Sequence, residues 1–238
     1  MTSTAAGAIG WASVHHGFTR APRHLEGVAR VLSGLGIAST RPHIMGMSPR
    51  HSMHDRSYLH RRAIERGVAA EIRGLGALPW IGIGHSAGGA MALHEAATRV
   101  DNGFPVAGVI LLDGVDTISG IAEIPSVPIL SVTTPPSACN AGGALVARIR
   151  REREGFIGLE VADGGHGDAE RIGSRDPGRI PAVYRAVCRD SSTAGDVAIV
   201  ESLLRAWSVD LALGRALSLE PGHPVVEAWA RAGRVLPL

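Results

Sequence analysis

A chain of 238 residues is long enough to bury a sizeable core, and it reads most simply as one domain over residues 1–238. Its formal net charge is only +2, and the arginines are scattered rather than gathered into a stripe, which argues against nucleic acid as a partner. No apolar run reaches bilayer length and Met1 to Gly10 lacks the pattern of a signal peptide, so a cytoplasmic protein with no membrane span is expected.

Taken in order, Trp11 to Arg20 reads as a short strand running into a His15-His16-Gly17 turn. Pro22 to Ser33 follows helical spacing through Leu25, Val28, Val31 and Leu32. Both histidines of the turn are read as packing beneath it. Gly36 to Thr40 is the next short strand, closed by Arg41-Pro42. The loop from His43 to Met53 carries three methionines, read as core filling. His51, His54 and His60 are read as surface or cleft-rim histidines rather than a metal cluster, because no cysteine or paired carboxylate joins them. Asp55 to Gly67 reads as an exposed helix.

The stretch Trp80 to Ala92 carries the chemistry. A short apolar strand runs into Gly84-His85-Ser86-Ala87-Gly88, and a helix follows from Ala90 to Thr98. This fits G-x-S-x-G, the nucleophile elbow of α/β-hydrolases, in the strand–turn–helix context that the motif needs. The serine must stand proud of the sheet, so the chain bends sharply there, and glycines on either side let strand and helix close around the bend. The backbone N–H of Ala87 then points at a developing oxyanion. The loop after the first strand supplies the second such donor in this fold, and Phe18, directly after His16-Gly17, is the candidate.

Val106 to Leu112 is a continuous apolar run, the mark of a strand buried on both faces, and it ends in Asp113-Gly114-Val115-Asp116. Val127 to Thr133 is a further strand, followed by a loop over Thr134 to Gly143 and a helix over Ala144 to Glu154. Phe156 to Val161 is the last strand and leads into Gly164-Gly165-His166-Gly167-Asp168. Arg171 to Pro181 reads as a connection. Val197 to Leu213 is an amphipathic helix with Ile199, Leu203, Leu204, Trp207 and Leu211 on one side, and the tail has room for one more short helix. The alternation predicts an α/β fold with a mostly parallel, doubly wound sheet flanked by helices. About a dozen residues separate Asp113 from the next strand, which leaves no room for a large cap domain.

In the hydrolase fold the chain order is nucleophile, acid, histidine, each beyond the end of a strand. His166 sits where the base belongs. The acid follows by elimination: no Asp or Glu lies between Glu123 and Glu152, so the Thr134–Gly143 loop cannot supply it. Asp113 is the candidate and Asp116 the alternative, while Asn140 could orient an imidazole without stabilising its charge.

The His16-Gly17-Phe18 turn, the Gly-His-Ser-Ala-Gly-Gly elbow, the Leu-Leu-Asp-Gly-Val-Asp strand end, the 136–142 loop and the Gly-Gly-His-Gly-Asp loop together resemble chlorophyllase and its bacterial relatives. That branch of serine α/β-hydrolases lies near the dienelactone hydrolases. The resemblance spans about Trp11 to Trp207, implies an α/β-hydrolase fold that is N-terminally shortened here, and points independently to Asp113. The expected activity is ester hydrolysis: Ser86 attacks, His166 takes its proton, Asp113 holds the imidazole, and Phe18 and Ala87 receive the oxyanion. It needs no metal and no organic cofactor, and the expected partner is a small-molecule ester. The same triad also suits acyl transfer, or thioester or lactone cleavage, and a silent hydrolase-like binding protein is the alternative of another class. For Cys139 and Cys188 two readings stay open: a disulfide, since the fold could bring their loops together, and two buried free thiols, which a cytoplasmic setting favours.

Overall fold

The computed structural model describes residues 7–43, 56–116, 124–182, 184–188 and 190–238. The chain opens with β1 (Gly10–His15), a 3-10 turn at Pro22–Leu25, α1 (Glu26–Gly34), β2 (Ile37–Thr40), α2 (Arg56–Ile72), β3 (Trp80–His85) and α3 (Gly88–Asp101). It continues through β4 (Val106–Leu112), β5 (Ile129–Thr133), α4 (Ala144–Glu152), β6 (Ile157–Val161) and the one-turn α5 (Asp168–Arg171). A wide single turn at Tyr184–Cys188 precedes α6 (Ala194–Leu213), α7 (Pro224–Arg231) and β7 (Val235–Pro237). The strands form one sheet in the order β2-β1-β3-β4-β5-β6-β7. All pairs are parallel except β6 with β7, an antiparallel edge strand that the sequence pattern did not announce.

Each central strand serves two cores because successive side chains point to opposite faces. Ile110 and Leu112 of β4 join the layer made with α1 and α6, whereas Val109 and Leu111 join the layer made with α3 and α4. This is why β4 is apolar at every position. In β3 the same alternation puts Ile81 and Ile83 on the α6 face and Gly82 and Gly84 on the α3 face. The glycines let α3 lie close against the sheet: a Cβ at Gly84 would stand 2.2 Å from the carbonyl oxygen of Gly88.

The expected elements are present with shifted ends. β5 begins at Ile129 because Pro128 offers no N–H, and the Pro128 carbonyl still accepts from Val109 N–H at 2.9 Å. The helix before the elbow strand runs on to Ile72. His51, His54 and the methionine loop lie outside the described residues. Among the described residues no helix is long and apolar enough to cross a membrane, and no group of three metal-ligating side chains is found.

α6 anchors the second layer. Thr193 and Asp196 cap its start reciprocally, and Gly214 ends it in the left-handed conformation. Trp207 is fully buried, with its indole N–H donating to the Leu219 carbonyl at 3.1 Å. Trp207→Ala should therefore destabilise the fold by about 3–5 kcal/mol, read as a fall in the urea midpoint at unchanged slope.

Candidate active site

β3 ends at His85, and Ser86 then adopts φ 54°, a left-handed conformation that non-glycine residues rarely hold. Its neighbours hold it there. The Ser86 N–H donates to the Leu112 carbonyl at 3.2 Å, and its own carbonyl accepts from Gly89 and Val115, each at 2.8 Å. The bend is also pressed against β1, since a Cβ at Gly88 would lie 2.2 Å from the His15 carbonyl oxygen. Only glycine fits at that contact.

The hydroxyl of Ser86 meets the base predicted for it. Its Oγ lies 2.9 Å from His166 Nε2, and His166 Nδ1 lies 2.5 Å from Asp113 Oδ2. A carboxylate can only accept, so the ring proton sits on Nδ1 and Nε2 presents its lone pair to the serine hydroxyl. Asp113 itself has φ 48° and lies just past β4, with its N–H bound to the Val132 carbonyl at 2.7 Å.

Asp113, the candidate acid, is held by the loop that has no acid of its own. Thr133 Oγ1 (2.9 Å), Thr134 N–H (3.1 Å) and Asn140 Nδ2 (3.2 Å) donate to Asp113 Oδ1, and Thr134 Oγ1 donates to Oδ2 at 3.0 Å. Burial works to raise this carboxyl, but the hydrogen bond and charge of His166 and the threonine donors hold it below the ordinary aspartate value. Asn140 thus orients the acid, not the imidazole. Asp116, the alternative, has Arg148 Nη1 at 3.5 Å.

The base loop is clamped by buried groups that sequence reasoning missed. Gly165 N–H donates to Asp168 at 3.1 Å and Gly167 N–H to Asp190 at 3.1 Å, while Ser192 Oγ bridges the two carboxylates at 2.6 and 2.8 Å. Arg171 Nη2 donates to Asp168 at 2.5 Å. A Cβ at Gly165 would fall 1.9 Å from Asp190, so the glycines flanking His166 make room for the clamp.

On the other side of Ser86 lies the His16-Gly17 turn. A Cβ on Gly17 would meet Ser86 Cβ at 2.9 Å, so the turn carrying Phe18 rests directly on the serine. Phe18 is 40 % exposed, and Ala87 is buried at the cap of α3. Two residues beyond Phe18, Arg20 forms a two-pronged ion pair with Glu170, which also accepts from Tyr184 Oη at 2.6 Å. The Tyr184 ring lies edge-on to His166, with centroids 5.9 Å apart. His15 and His16 are buried as expected, His15 with Nε2 3.1 Å from Glu95.

The structure decides between the two readings of the cysteines. Cys139 and Cys188 form a disulfide rather than two thiols. The reason is topological: the loop after β5 and the segment after the His166 loop flank neighbouring strands at the same edge. The bond ties the loop carrying Asn140, which donates to Asp113, to the segment carrying Asp190, which holds the His166 loop.

A scan against protein-family models finds no match, and a search of curated proteins finds none either. Solved structures do resemble the chain. A ferulic acid esterase from Streptomyces cinnamoneus superposes with a TM-score of 0.65 at 18 % identity, covering 96 % of this chain and 73 % of that one. An alpha-beta serine hydrolase homologue from Coxiella burnetii gives 0.57 at 13 % identity, over 86 % and 88 % of the two chains. The esterase domain of a Rhodothermus marinus protein gives 0.54 at 17 % identity, over 87 % and 90 %. At these identities the likeness is one of fold, and the fold is that of the α/β-hydrolases.

Two outcomes follow from the geometry. Replacing Cys139 and Cys188 by serine should cost about 4 kcal/mol on the chain-entropy account of a bond spanning 49 residues, and the unreduced native protein should show no alkylatable thiol by mass spectrometry.

Acid should also destabilise the protein. Burial, then the adjacent His166, pulls His85 down to about 4 from an ordinary value of 6.5. The unfolded chain takes up this proton first on acidification, so the contribution is intact above about 6.5 and is lost as pH falls towards 4. The loss is on the order of 3 kcal/mol, and His85→Gln should flatten that part of the stability–pH curve measured by urea unfolding.

Proposed function

We propose that this chain is a serine carboxylic-ester hydrolase with Ser86, His166 and Asp113 as its triad. The observation that carries the reading is the unbroken hydrogen-bond chain from Ser86 Oγ through both ring nitrogens to a buried carboxylate. The motif resemblance to the chlorophyllase and dienelactone hydrolase branch favours the same chemistry, as does the fold shared with esterases.

In the acylation step His166 Nε2 takes the Ser86 proton while Oγ bonds to the ester carbonyl carbon. The carbonyl oxygen becomes an oxyanion received by the N–H groups of Ala87 and Phe18. The imidazolium, its charge balanced by Asp113, then returns the proton to the departing alkoxide, and an acyl-enzyme remains. Water repeats the sequence: His166 takes its proton, the hydroxide attacks the acyl carbon, and Ser86 leaves with the proton restored. The substrate is a small-molecule ester, and no step calls on a metal or organic cofactor. The Cys139–Cys188 bond favours an oxidising compartment over the cytoplasm for this enzyme.

The test uses a panel of p-nitrophenyl, hydroxycinnamoyl and methyl esters together with a fluorophosphonate probe. The wild type should turn over at least one ester and take the label on Ser86, and Ser86→Ala should do neither. Asp113→Asn should keep the fold and lower kcat by about 10⁴-fold, because a neutral amide favours the wrong tautomer and leaves imidazolium unbalanced. Asp116→Asn should change kcat by less than about threefold, the level expected when no triad tautomer is altered. A crippled Asp116→Asn beside a normal Asp113→Asn would remove Asp113 from the mechanism.

A further inference from the structure

His85 precedes Ser86 in the elbow and is not needed by the chemistry above, yet it is among the most buried polar residues of the chain. Its side chain does not face solvent. Its Nε2 lies 2.7 Å from the backbone carbonyl oxygen of His166, across 81 residues of sequence. A carbonyl only accepts, so Nε2 carries the proton and donates it. The ring is neutral at working pH, held low chiefly by burial, and so has a single proton to give. Its Nδ1 faces Glu170 at 3.9 Å, too far for a hydrogen bond, and Glu170 is already occupied by Arg20 and Tyr184.

The surroundings leave the ring one orientation. The His166 ring packs against it with centroids 5.1 Å apart, and the Tyr184 ring meets it edge-on at 6.4 Å. The base loop therefore has two kinds of tether. Asp168 and Asp190 grip the N–H groups of Gly165 and Gly167 from the side of α5 and the segment after it. His85 alone among these ties the loop to the nucleophile's own turn, by the carbonyl of the base itself.

We infer that His85 is a positioning residue: by donating Nε2–H to the His166 carbonyl it sets the height of the imidazole over Ser86 and its alignment with Asp113. The inference rests on the ester-hydrolase reading of Ser86 and His166. A base displaced by a fraction of an ångström is still present but is no longer in line with both partners, and such displacements cost rate rather than binding.

The test compares three substitutions in the full-length protein. His85→Gln places an amide N–H where Nε2 stood. His85→Asn places the same amide near the Nδ1 position, and His85→Leu removes the donor. Two quantities are read: kcat and KM on the best ester of the panel, and the low-field proton resonance of His166 Nδ1–H shared with Asp113. The resonance needs only the folded protein.

His85→Gln should keep kcat within about threefold and leave the resonance in place, whereas His85→Asn and His85→Leu should lower kcat by about 100-fold with KM within about twofold, and shift or broaden it. His85→Asn carries the comparison where His85→Leu does not fold. Equal effects of Gln and Asn on kcat and on the resonance, whether both large or both absent, overturn the inference. Failure of the wild type to label or hydrolyse any ester overturns the ester reading instead, while the resonance still tests whether His85 sets the His166–Asp113 alignment.

Discussion

The structure depends on one constrained bend. At Ser86 the chain must leave the middle of the sheet and enter a helix without a loop between them, and it does so through a left-handed residue. Such a conformation costs on the order of 1–3 kcal/mol and survives only where the surroundings leave no alternative. Here they leave none: the carbonyl of Ser86 is held by two N–H groups, its N–H is paired to β4, and three backbones meet at the glycines around it. Gly84 touches α3, Gly88 touches β1, and Gly89 touches the turn after β4 through Gly114. The side-chain-free surface of this junction lets β1, β3, β4 and α3 converge on one point, and everything proposed to be chemical stands around that point.

The polar groups around the bend are arranged in connected sets. Asp168, Arg171, Asp190 and Ser192 bond to one another and to the N–H groups of the His166 loop, with Arg171 Nε left without a partner. Arg20, Glu170 and Tyr184 form a second set that joins the turn carrying Phe18 to the helix after His166. The first set fixes backbone and is buried, and the second is partly buried, so loss of a member leaves a partner unsatisfied away from bulk water. The disulfide adds a covalent tie between the acid's loop and the second anchor of the base.

The fold was legible in the sequence because its signals are local. β4 is apolar at each position because both faces are covered, and the elbow glycines and the glycines around His166 each lie within a short window. Asp113 was singled out as the candidate acid by elimination, since the following loop holds no carboxylate, and in the structure that loop supplies donors to Asp113 instead. The contacts that escaped are long-range. Arg20 with Glu170 spans 150 residues and His85 with the His166 carbonyl spans 81, and no periodicity encodes either. The disulfide stayed open in the sequence because the inferred compartment disfavoured it, whereas the pairing follows from two loops meeting over adjacent strands. β7 escaped because three residues at a sheet edge leave almost no alternating pattern.

The distribution of buried charge separates Asp113 from Glu95 and Glu170. Glu95 lies beneath β1 with Arg66 and Arg99 on its oxygens, and Arg99 stacks on Trp11 and Trp80 at 4.5 and 4.6 Å. Burial works to raise Glu95, and the arginine charge outweighs it and holds the carboxyl well below its ordinary value. Glu170 is neutralised by Arg20 in the same way. Asp113 differs: its ionic partner is His166, and its other donors, Thr133, Thr134 and Asn140, are neutral. Neutral donors fix the carboxylate and favour its ionised form without cancelling its charge. An arginine in their place would have left little for an imidazolium to gain. On the proposed mechanism that uncancelled charge is what makes proton transfer from Ser86 to His166 affordable in a buried site, because the positive ring forms next to the one carboxylate of these three that no arginine already neutralises.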